Sequence, residues 1–142
     1  MRVQILFYDG YQEMDALGVL EVLRLAAARG GEFHLDLVRL GGATVTSANG
    51  LHLHVGTRFE PGSRPDLLVL PGCGWVVRAA PGSWAEAERG RIGAVVTSAV
   101  GEGAVLAAVG NAALFLAATG FLDGRRATST PEASAELRSS GA

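Results

Sequence analysis

The chain has 142 residues, 49% hydrophobic and 18% charged, with a formal net charge of −2, which suits one globular domain around one core and excludes a long disordered tail. All twelve basic residues are arginine and lie scattered, so no basic stripe exists for a phosphate backbone; the lack of lysine removes Schiff-base catalysis, a phosphate-loop lysine and a serine–lysine dyad. The single cysteine, Cys73, excludes an internal disulfide and, with three histidines, gives no zinc spacing, so the expectation is a cytoplasmic protein without metal or cofactor that binds neither nucleic acid nor membrane.

Val3 to Phe7 is an apolar run ended by Tyr8-Asp9-Gly10, too short for a signal peptide or a membrane span, and reads as a strand. From Met14 to Arg29, Leu17, Leu20, Leu23 and Ala27 recur at helical spacing until Gly30-Gly31. Phe33 to Leu40 alternates as a second strand. Ala43 to Ser47 and Leu51 to Val55 flank Ala48-Asn49-Gly50, and Asn-Gly between β-rich runs predicts a hairpin. Asp66 to Leu70 is a continuous apolar strand, as in parallel sheets covered on both faces, and it ends at Pro71-Gly72-Cys73-Gly74. Ser83 is expected to cap a helix reaching about Ala99, with Trp84, Ala87 and Ile92 on its buried face and Gly90 and Gly93 interrupting its middle. Ala104 to Val109 is a further buried strand. It runs through Gly110 into a helix from Asn111 to about Thr119, and Leu122-Asp123-Gly124 turns into a short strand at Arg126 to Thr128. Thr130-Pro131-Glu132 combines an N-cap, a first-turn proline and an acid, which predicts a last helix to about Ser139.

Alternating strands and helices imply a three-layer α/β/α sandwich, a doubly wound, mostly parallel, flavodoxin-like sheet with helices on both faces. Its site should lie beyond the carboxyl ends of the strands, where the loops Tyr8 to Asp15, Pro71 to Trp75 and Val109 to Ala112 emerge.

Those three loops carry a resemblance. Ile5-Leu6-Phe7-Tyr8-Asp9-Gly10 with Asp15-Ala16-Leu17-Gly18 and Glu21-Val22-Leu23, then Asp66 to Gly74, then Val109 to Thr128 are together similar to the ThiJ/PfpI superfamily, the parkinsonism-associated deglycase family of class I glutamine amidotransferase-like fold, and most to its isonitrile hydratase branch. The resemblance implies cysteine-dependent hydratase, amidase or glyoxalase/deglycase-type chemistry, with the thiolate on the turn after the strand, where helix N–H groups lower its pKa. Here Gly110 stands at that position. Asn111, Ala112 and Ala113 match the small residue, glycine and alanine that follow. Asp15 matches the acid that hydrogen-bonds the thiolate, and Glu21 an acid supporting the site from the helix. Thr130 replaces the usual histidine. The oxyanion donors resemble those of a Pro-Gly-Gly turn, here Pro71-Gly72-Cys73-Gly74, and Trp75 is expected to line the pocket behind it.

Each of these residues also has a plainer reading. A free cysteine with no histidine in reach reads as a small buried hydrophobe, with a displaced nucleophile as the alternative. Asp15 and Glu21 suit helix dipoles as well as catalysis, and His52 and His54 suit a solvent-facing strand better than a metal site with no third ligand. The expectation is a non-catalytic, small-molecule-binding or regulatory relative, a pseudoenzyme; the alternative is a hydratase or amidase-like enzyme using Asp15 with water, or Cys73. Family members continue for some tens of residues past the position of Gly141-Ala142, so a C-terminally shortened sheet with an exposed edge is expected, and with it a homodimer.

Overall fold

The computed structural model describes residues 1–142. Five parallel strands form the main sheet: β1 (Arg2–Phe7), β2 (His34–Arg39), β5 (Thr57–Arg58), β6 (Leu67–Leu70) and β7 (Val105–Ala108), in the spatial order β5-β2-β1-β6-β7. β3 (Thr44–Thr46) and β4 (His52–His54) form the separate antiparallel hairpin expected around Asn49-Gly50. The two-residue strand β5 was not anticipated; it is too short to show a period, and it is defined by pairing Thr57 and Arg58 beside Val38 and Arg39.

A wide π-type turn at Met14–Gly18 leads into α1 (Val19–Ala28), which carries the chain from β1 out to β2. From β6 the chain moves the other way, through α2 (Ser83–Glu88) and α3 (Arg91–Gly101), to β7. Right-handed crossovers winding in opposite directions place α1 on one face of the sheet and α2 with α3 on the other. The point of reversal lies between β1 and β6, which pair directly through Val3 with Leu67 and Ile5 with Val69. A crevice therefore opens beyond the carboxyl ends of these two strands. No helix is long and apolar enough to cross a membrane.

The core is built on β1 and β6, where Val3, Ile5, Leu6, Phe7, Leu68, Val69 and Leu70 are buried. α4 (Ala113–Ala118) is hydrophobic all round and sits inside it, with Ala113 through Ala117 buried. A short 3₁₀ turn, Gly110–Ala112, connects β7 to α4; another, Pro131–Ala133, precedes α5 (Ser134–Ser139).

Three expectations need correction. The helix proposed from Ser83 to Ala99 is two helices, because the backbone turns left-handed at Gly90 (φ 71°), while Gly93 stays inside α3. Ser83 is the first helical residue rather than the cap, which is Gly82; its hydroxyl and N–H both bond the Cys73 carbonyl instead. Arg126 to Thr128 is not a strand. Its backbone makes no ladder bonds, and β7 remains the edge of the sheet.

Candidate functional site

The loop after β1 is held from outside by the hairpin. Gly10 N–H donates to the Thr46 carbonyl (2.7 Å), Ala48 N–H to the Tyr11 carbonyl (2.9 Å), and Thr46 N–H to Asp9 Oδ1 (2.8 Å). Glu13 then reaches the hairpin tip, accepting the Ser47 hydroxyl, Asn49 N–H (3.1 Å) and Asn49 Nδ2 (2.7 Å). The Ser47 hydroxyl, helped by the Glu13 and Asn49 backbone and the Asn49 amide, holds the Glu13 carboxyl below its ordinary pKa.

From this anchored loop the turn at Met14–Gly18 aims Asp15 at the loop after β6. Asp15 Oδ2 accepts the Gly72 N–H (3.1 Å), and Gln12 N–H donates to the Gly72 carbonyl (2.9 Å). The two loops are thus tied through both polar groups of one peptide residue. Gly72 also lies against the turn after β7: a Cβ there would stand 2.5 Å from Asn111 Oδ1, 2.9 Å from Ala112 N and 3.0 Å from the Val109 carbonyl. Only glycine permits that approach. Beneath it the buried Tyr8 hydroxyl donates to the Pro71 carbonyl (2.6 Å) and fixes where β6 ends. Burial, then Cys73 and Asp15, push the Tyr8 pKa well up, so the phenol stays protonated as a donor.

Gly110 adopts φ +62°, and a Cβ on it would lie 2.7 Å from Asp15 Oδ2. The carboxylate oxygen would be in tight contact with the first atom of any side chain at 110. Burial pushes the Asp15 pKa up, only partly offset by the Gly72 N–H. Cys73 sits close by on a backbone of φ 148°, which L side chains rarely adopt. Burial raises its thiol pKa, the Gly74 N–H opposes, and the negative charges of Asp15 and Glu13 raise it further. Cys73 is therefore a neutral thiol, the opposite of an activated nucleophile. Gln12, Asp15, Cys73, Gly110, Asn111 and Thr130 together line an open cavity of about 220 Å³.

This geometry, acid against elbow across a glycine turn, coincides with a match of residues 1–142 to the DJ-1/PfpI family. The chain belongs to the DJ-1/PfpI family. It is similar to an uncharacterized protein in the cpoL 5′ region of Streptomyces lividans, 33% identical over 131 residues, 89% of this chain and 85% of the relative. Among solved structures it resembles an AraC family transcriptional regulator from Pseudomonas putida (24% identity, TM-score 0.76), covering 98% of this chain and 71% of that one. It also resembles oxidized DJ-1 of Toxoplasma gondii (19% identity, TM-score 0.71), covering 92% of this chain and 67% of that one.

Within this DJ-1/PfpI domain, Asp15, Cys73, Gly110 and Asn111 line one cavity, with Gly72 at the contact between the loops and Gly74 next to Cys73 on the turn. Two expected site residues do not join them. Trp75 is 3% exposed and faces the core, edge-on to Trp84 (centroids 5.2 Å apart) and tilted on Phe115 (5.6 Å), while its Nε1 donates to Glu136 (2.9 Å). A large ring with one N–H is better accommodated between helices than at a polar mouth. Glu21 is exposed on α1 and outside the cavity; the wide turn at Met14–Gly18 changes the angular register of the helix that follows.

Gln12 was not assigned to the cavity from sequence, whereas Thr130, which also lines it, stands at the position of the family histidine. Gln12 had one available signal, its place in the loop after β1. Thr130 does stand at the N-cap of the Pro131–Ala133 turn, but its side chain makes no capping bond. His52 and His54 are exposed on β4, as expected.

Proposed function

We propose that this DJ-1/PfpI domain is a non-catalytic relative that holds a small polar molecule in the cavity beside residue 110, with the isonitrile hydratase type as its nearest chemical reference. The observation carrying this reading is the elbow itself: Gly110 supplies no nucleophile, and the Asp15 carboxylate, 2.7 Å from where a Cβ would stand, faces a position with no side chain. A thiolate mechanism needs a thiol at the elbow and a lowered pKa, whereas the lone thiol lies on the neighbouring turn with its pKa raised.

A second reading keeps turnover. Asp15, with its pKa raised by burial and facing open space, is suited to act as a general base on a water molecule. One experiment separates the two: incubate the protein with an alkyl isonitrile, follow formation of the N-alkylformamide by NMR, and measure binding of both compounds by calorimetry. Saturable binding without formamide is the expected result. Formamide production that disappears in Asp15→Asn replaces the first reading by the second, production that disappears only in Cys73→Ser assigns a displaced thiol, and no binding of either compound removes the isonitrile reference.

The proposal includes a homodimer. Met14, Val22 and Leu25 are 73%, 66% and 46% exposed along the α1 side, an apolar stretch of the kind that packs against a second copy. A single monomeric species in sedimentation velocity would remove the dimer.

A further inference from the structure

The tip of the β3–β4 hairpin exposes one peptide nitrogen beside an asparagine side chain. Asn49 and Gly50 are both exposed, and a Cβ on Gly50 would meet nothing within 4 Å, so the nitrogen that follows Asn49 is open to approach. Its N–H makes one bond, to the Ser47 carbonyl of the same turn, and at 3.2 Å that bond is long. The chain's other asparagine, Asn111, is half-buried and precedes Ala112 in a 3₁₀ turn. The similar Asp9-Gly10 pair is closed in: Gly10 is buried and its N–H is bonded to Thr46 at 2.7 Å.

Opposite the tip stands Glu13, which ties the hairpin to the loop after β1. Its carboxylate accepts Asn49 Nδ2 (2.7 Å), the Asn49 N–H (3.1 Å) and the Ser47 hydroxyl, and these bonds hold it below its ordinary pKa, so it is ionised at neutral pH. Everything the hairpin offers Glu13 is a donor. A carboxylate at position 49 would withdraw the strongest of them and set two like charges at hydrogen-bonding distance.

We propose that Asn49 is a self-modification site: its side-chain amide is lost in the folded protein, and the carboxylate that replaces it, facing Glu13, unfastens the hairpin from the loop that carries Asp15. The Gly50 backbone nitrogen, its proton taken by hydroxide, bonds to Asn49 Cγ; the Cγ–Nδ2 bond breaks, ammonia leaves, and a cyclic imide closes. Water then opens the ring at either carbonyl, to aspartate or to isoaspartate, so that amide and water become carboxylate and ammonium without any redox partner. Asparagine is among the thermally labile side chains, and here Glu13 sets the pace, because it must release the Asn49 amide before Cγ can turn to the nitrogen. Once the carboxylate has formed, Glu13 repels what it had held, and the clamp does not close again.

The test incubates the intact 142-residue protein in mildly alkaline buffer and follows residue 49 by peptide mass mapping, with protein held in urea as the unfolded reference. The folded protein is expected to exchange the Asn49 amide for a carboxyl while Asn111 keeps its own, and Asn49→Gln, whose longer side chain disfavours ring closure, should lose the conversion. Glu13→Ala should convert about tenfold faster, the equivalent of one charge-assisted bond released. The converted protein, separated by its added charge, and Asn49→Asp should both show faster amide hydrogen exchange than the parent across residues 8–15, with β6 unchanged. Conversion confined to the urea-unfolded chain, or equal rates in the parent and Glu13→Ala, overturns the proposal. So do a converted protein and an Asn49→Asp variant that exchange as slowly as the parent, since the hairpin would then stay fastened.

Discussion

At residue 110 two costs fall on any side chain, and they have different origins. The left-handed backbone charges an L residue about 1–2 kcal/mol, and the Cβ then meets Asp15 Oδ2 at 2.7 Å, so the end of that carboxylate must turn aside. Gly110→Cys should therefore lose about 2 kcal/mol in urea unfolding. Gly110→Ala, sharing the Cβ, should lose a similar amount, and an undiminished midpoint in both variants would mean that the turn carries no strain. Asp15 makes the complementary case. Its folded pKa lies above the ordinary 3.8, so its contribution to stability is present below that value and lost as pH rises through the folded pKa. Asp15→Asn should accordingly melt higher than the parent at pH 7, with the difference closing below the ordinary value; a lower melting point at pH 7 contradicts this. That Asp15, Cys73 and Gly110 meet was legible in the sequence, because all three lie just past parallel strands. The inward turn of Trp75 was not, since no periodicity reports side-chain direction in an irregular turn.

Among the elements, the hairpin has the clearest sequence signal and the least obvious role. Asn49-Gly50 fixes its tip, yet its purpose emerges only from the bonds to Asp9, Tyr11 and Glu13 that steady the loop carrying Asp15. Glu13→Ala should accelerate amide hydrogen exchange across residues 8–15 and 44–54 while leaving β6 and α4 protected; uniform exchange throughout would make the clamp irrelevant. The misread elements share one cause. Whether Gly90 breaks a helix and Gly93 does not, or whether Arg126 to Thr128 finds a ladder, depends on what the rest of the fold offers, and local propensity does not carry that information. The strands of β1 and β6 were legible because their burial on both faces writes itself as unbroken apolar runs.

For the molecule as a whole, carboxylates bind separate parts of the fold together. Glu13 joins the hairpin to the first loop, Glu102 accepts the Gly62 and Arg64 N–H groups and the Ser98 hydroxyl, and Glu136 receives the Trp75 indole and Arg78. Backbone N–H donors from Gly62 and Arg64 lead in lowering Glu102; at Glu136 burial works upward but the indole and Arg78 outweigh it. All three fall below the ordinary 4.5, so their stabilisation is complete above that value and drains away as pH falls through the folded pKa values. Urea midpoints should drop on acidification below about pH 4.5, and Glu102→Gln should flatten the drop; a midpoint independent of pH there would show that these contacts do not bear on folding. Asp15 acts with the opposite sign, so the site and the frame respond to acid in opposed directions. The nearness of Asp15 to residue 110 has one more consequence: a thiol introduced there would start beside a carboxylate whose far end can turn aside, so Gly110→Cys alone would bring sulfur and acid face to face across the cavity.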